Sequence, residues 1–89
     1  MTLLQFSELL HMEAVNELVI VEVTPGRYQL HPRIAWRSGL SVMSDSRGVP
    51  MVFPRWETLI RFLKTLQLGP TLIYIKLLGS HGRGVDADV

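Results

Sequence analysis

The chain predicts an α+β sandwich, with two helices packed on one face of a mainly antiparallel sheet of about five strands, in the order α-β-β-β-β-α-β. Three observations lead there. Two segments repeat apolar residues at helical spacing, compact runs rich in Val, Ile and aromatic residues lie between and after them, and Pro25-Gly26 and Gly69-Pro70 punctuate the boundaries. A chain of 89 residues and 10.1 kDa holds one domain, expected over residues 1–78, with the glycine-rich segment 79–89 as a flexible tail.

The first helix is expected within Thr2 to Val15. Thr2 and Gln5 have the spacing of a capping box, and Leu3, Phe6, Leu10 and Ala14 recur near the helical period. Leu18 to Val23 is β-branched and compact, so it reads as a strand that ends at Thr24-Pro25-Gly26-Arg27. Proline fixes φ at the second position of a type II turn and glycine accepts a positive φ at the third, so the chain returns antiparallel through Tyr28-Gln29-Leu30. This strand resumes as Arg33 to Trp36. Pro32 cannot donate to a ladder and therefore marks an edge or a bulge. Leu40 to Ser44 and Val49 to Phe53 form a second hairpin around Asp45-Ser46-Arg47-Gly48.

Pro54 opens a second helix, in which Trp56, Leu59, Ile60, Leu63 and Leu66 form an inward stripe. Gly69 suits its left-handed end and Pro70 blocks continuation. The final run, Thr71 to Leu78, is apolar at both parities, the pattern of a covered central strand, here parallel to the fourth.

Several function classes are excluded or disfavoured by residue type. With no cysteine there is no disulfide, thiolate metal site or thiol catalysis. His11, His31 and His81 fall in different elements, so no metal or other cofactor is expected. No nucleophile with a base and no carboxylate pair is assembled, and Gly79, Gly82 and Gly84 precede no helix that would make them a phosphate loop. The expectation is a protein that is not an enzyme. No membrane span or leader pattern is visible, which makes a cytoplasmic location the default.

Charge and apolar content carry the functional signal. The net charge of +1 hides a division: residues 1–22 hold Glu8, Glu13, Glu17 and Glu22 without a cation, whereas residues 23–64 hold six arginines and Lys64 against Asp45 and Glu57. Apolar residues make up 47% of a chain too short for a thick core, so association is expected, most economically a two-fold homodimer or a small subunit or inhibitor bound to another protein. Phe62, off the inward stripe, and the methionines Met43 and Met51 are the expected partner-binding residues. The alternative is RNA or DNA binding through Arg27, Arg33, Arg37 and Arg47, with the rings of Tyr28 and Trp36 interleaved for stacking. The α-β-β-β order resembles double-stranded-RNA-binding domains, but Pro54-Arg55-Trp56-Glu57 lacks the lysine-rich helix start of that family.

Overall fold

The computed structural model describes residues 1–79, in the order α1 (Leu3–His11), β1 (Val15–Thr24), β2 (Arg27–Ile34), α2 (Trp56–Lys64) and β3 (Leu72–Lys76). The assignment of 79–89 to a tail lies outside these residues except for Gly79. The architecture is α+β, with two helices and one mixed sheet of three strands in the spatial order β2-β1-β3.

Both ends of α1 are written locally. Thr2 Oγ1 accepts from the Gln5 amide at 3.2 Å, and Gln5 Oε1 accepts from the Thr2 amide at 2.9 Å, closing the capping box. At the other end Ala14 N–H donates to Leu9 and Glu13 N–H to Leu10, both at 2.9 Å, which is the Schellman pairing. Glu13 takes the left-handed position at φ 57°, where glycine is usual. Phe6 is the one fully buried side chain that α1 sends into the core.

β1 and β2 pair antiparallel through the turn at Gly26, whose φ of 76° is the value a type II turn requires. The register places Leu18 beside Pro32 and Ile20 beside Leu30 on the face beneath the helices. Glu17 beside Arg33, Val19 beside His31 and Val21 beside Gln29 occupy the other face, because side chains alternate along a strand. The core joins Leu18, Ile20, Leu30 and Ile34 of the sheet to Phe6, Met43, Phe53, Leu59 and Leu63.

The sheet corrects the expected five strands to three. Residues 41–53 form a hydrogen-bonded ribbon along β2, not a second regular hairpin: Ser41 and Met43 N–H donate to Pro32 and Leu30, and Tyr28 and Phe53 exchange both bonds. Only the isolated bridges Ser44–Pro50 and Tyr28–Phe53 remain of the ladder. Pro50 and Pro54 have no N–H to extend it, and Pro32 offers the ribbon a carbonyl without a donor. The turn itself forms as expected, with the Asp45 carboxylate accepting from the Arg47 and Val49 amides at 2.8 and 3.0 Å.

α2 buries Leu59 and Leu63, with Ile60 and Leu66 half-buried against the core. After it Gly69 adopts φ 56° and the chain enters β3. Here a second correction applies. β3 pairs parallel with β1, Leu18 beside Ile73 and Ile20 beside Ile75, and it forms the outer edge of the sheet, not a covered centre. Apolar residues at both parities fit either a strand covered on both faces or one left bare on both. The burial of β3 is the second kind: four of its five residues are exposed.

Candidate functional site

The two long edges of the sheet are finished differently. The β2 edge is covered by the ribbon, and the Met1 amino group fastens that ribbon in turn, donating to Val42 O at 2.9 Å and Ser44 Oγ at 3.1 Å. The β3 edge has no described neighbour beyond it. Leu72 is 57% exposed and Ile73 41%, and Tyr74, Leu77 and Leu78 are also exposed. Ile73 belongs to the helix-side face, yet neither helix reaches far enough to cover it. Leu72 and Tyr74 belong to the open face, so the strand exposes apolar side chains on both sides, while Ile75 packs half-buried against the core.

The open face continues from β3 across the sheet in aligned rows: Leu72-Glu17-Arg33, Tyr74-Val19-His31 and Lys76-Val21-Gln29. Arg33 Nε bonds Glu17 Oε1 at 3.2 Å, and His31 Nε2 meets Gln29 Oε1 at 3.0 Å. Partial burial lowers the pKa of His31 below the ordinary imidazole value, and the nearby Lys76 ammonium lowers it further. A shallow cavity of about 260 Å³ lies here between Val19, Arg33, Leu40 and Tyr74. A larger one of about 810 Å³ lies between the end of α1 and the 65–71 loop, lined by Ser7, His11, Glu13, Asn16 and Thr71. Among the described residues no group of three His, Asp or Glu side chains is placed to hold a metal ion.

Glu22 ties the far end of the bare edge to the β1–β2 turn. Its carboxylate accepts from the Gly26 amide at 2.8 Å and from the Leu78 amide at 3.0 Å. These bonds, Gly26 first and Leu78 second, hold the Glu22 carboxyl below the usual carboxylate range. A depressed folded-state pKa means that the anchor is present in full above the ordinary carboxylate value and is lost as pH falls through the folded one. Nuclear magnetic resonance titration should therefore show the Gly26 and Leu78 amide shifts moving together with a midpoint below that of a free glutamate. A midpoint at or above the free value, or an unmoved Leu78 amide, would show that the anchor does not form.

The residues singled out from sequence are not gathered into one surface. Met43 is fully buried, and Met51 and Phe62 are half-buried against the core, with Phe62 stacked at a tilt 5.1 Å from Phe53. Tyr28 lies on the helix side, edge-on to Trp56 at 5.3 Å, whereas Arg33 lies on the opposite face. Arg27 shares that face but stands about 20 Å along the strand from Arg33. Arg47 projects from the 45–48 turn with its own partner, Asp45, at 3.6 Å. Arg37 reaches Ser41 Oγ at 3.5 Å, and Trp36 beside it is exposed. The feature that sequence reasoning missed is the β3 edge, whose signal was the two-faced apolar run. No helix among the described residues is long and apolar enough to cross a membrane. No protein-family model, curated protein or solved structure matches the chain.

Proposed function

We propose that the protein is a non-catalytic interaction module that presents the free edge of β3 to an extended segment of another polypeptide. The observation that carries this reading is the contrast between the two sheet edges: one is sheathed by the chain itself, the other is apolar and has no neighbouring strand among the described residues. A strand with an unpartnered edge offers alternate N–H and C=O groups for strand addition, and soluble proteins ordinarily blunt such edges with charge, proline or a bulge. β3 has none of these at its centre, and its one charge, Lys76, stands at the end. At roughly 200 Å² per large side chain, the exposed parts of Leu72, Ile73, Tyr74 and Leu78 amount to roughly 400 Å² of apolar surface, in the size range of functional patches.

The test uses a labelled peptide of alternating apolar and polar residues, titrated at high protein dilution and followed by fluorescence anisotropy. Wild-type protein should bind it, and Ile73→Lys should weaken binding at least tenfold without lowering the melting temperature, since that side chain supports little of the core. Equal binding by both proteins, or none by either, overturns the reading. Salt-dependent binding of a short RNA or DNA, lost in the Arg33→Ala and Arg37→Ala double variant, would instead favour a nucleic-acid function.

A further inference from the structure

We infer that the occupant of the β3 edge is β3 of a second copy, paired antiparallel about a two-fold axis at Tyr74 to give one continuous six-stranded sheet. This rests on the edge-binding reading above and names its partner.

The strand is complementary to itself in that one arrangement. With Tyr74 facing its symmetry mate, Ile73 lies opposite Ile75 of the second copy and Leu72 opposite Lys76. Partners then share parity, so the faces of the two sheets stay in register. Ile73, bare because no helix of its own chain reaches it, gains an apolar neighbour on the helix side. Tyr74 gains an aromatic cross-strand partner on the open side. Charge permits the same geometry. In the antiparallel pair the two Lys76 residues stand four positions apart, about 14 Å, which exceeds the screening length of about 8 Å at physiological salt. A parallel pair through the same two edges would turn one sheet over and set the helix side of one copy beside the open side of the other.

Area sets the expected strength. A standard interface buries about 800 Å² per partner. The apolar patch supplies roughly half of that and the ladder backbone adds to it, so the dimer belongs near the lower end of stable interfaces and should dissociate on dilution.

Sedimentation over a concentration series should show a reversible shift from 10.1 kDa to twice that mass. Cross-linking then fixes the register, since the described residues contain no native cysteine. Tyr74→Cys places two thiols directly opposite, at the Cα separation of about 4.5 to 5.5 Å that a disulfide accepts, and mild oxidation should convert it to covalent dimer. Leu72→Cys places its two thiols several residues apart and should not cross-link. Ile73→Lys should raise the dissociation constant at least tenfold, with an unchanged melting temperature of the dilute protein as the check on folding.

A wild type that stays monomeric at high concentration overturns the inference. If that monomer still binds strand peptides through Ile73, the edge-binding function stands with a different partner. A chain that dimerises only after removal of residues 80–89 also overturns it, and assigns the edge to the chain's own C-terminal segment. Leu72→Cys cross-linking as readily as Tyr74→Cys would overturn the register.

Discussion

Phe6→Ala should cost about 3 to 5 kcal/mol, the range for removing a buried aromatic ring, and should leave the protein close to unfolded at 37 °C. Phe6 is fully buried and is the only α1 residue in the core cluster, where it joins Leu18, Ile20, Leu30 and Ile34. Without the ring, α1 is a nine-residue helix held by its capping box, two C-terminal hydrogen bonds and half-buried Leu9 and Leu10. Helices that short are not stable alone in water. A domain of this length has about 4 to 13 kcal/mol of total stability, so the variant loses a large part of it. Thermal denaturation followed by circular dichroism should show the midpoint falling by roughly 15 °C or more. A fall of under about 5 °C would mean that α1 is not integral to the core.

Met43→Ala is the second large effect, expected at about 2 to 5 kcal/mol. It separates two roles that a methionine in this position could have. A surface methionine awaiting a partner could be truncated with little change in stability. Met43 instead has no exposed surface, its amide donates to Leu30 O and its carbonyl accepts from Met51 N–H, both at 2.9 Å. Truncation leaves a cavity between the ribbon and β2, and it loosens the cover on that edge of the sheet. Urea denaturation should show a lower midpoint with little change in slope; an unchanged midpoint would place Met43 outside the core.

The features legible in the sequence are those decided by neighbours in the chain. The Thr2–Gln5 capping box, the Pro25-Gly26 turn and the Asp45–Gly48 turn each depend on a few consecutive residues, and each forms, whereas Gly69 takes a left-handed φ of 56° in the turn before β3 and not at the end of α2, which is capped at Thr65. The end of α1 was less legible because Glu13 takes a left-handed position that sequence assigns to glycine. Strand pairing is decided across long separations, and there the reading failed in two places. Residues 40–53 carry the composition of a hairpin, but its prolines reduce it to a ribbon. The run from Thr71 to Leu78 is apolar at both parities, and that pattern cannot distinguish a strand enclosed by helices from one that the helices fail to reach. The candidate site lies in this ambiguity. The arginine reading had the opposite difficulty: Arg33 and Glu17 are 16 positions apart, and only the β1–β2 register shows that they neutralise each other.

The parallel pairing of β1 with β3 also governs the order in which the protein can be assembled. Thr24 ends β1 and Leu72 opens β3, roughly 50 residues later, so the sheet cannot close until the chain has been made through β3. During that interval α1, β1 and β2 can already meet, because their contacts are local, and the central strand waits with Val19, Ile20 and Val21 along an unfilled side. Pairing across so long a separation adds loop-closure cost, so folding should be slower than for a helical bundle of the same length.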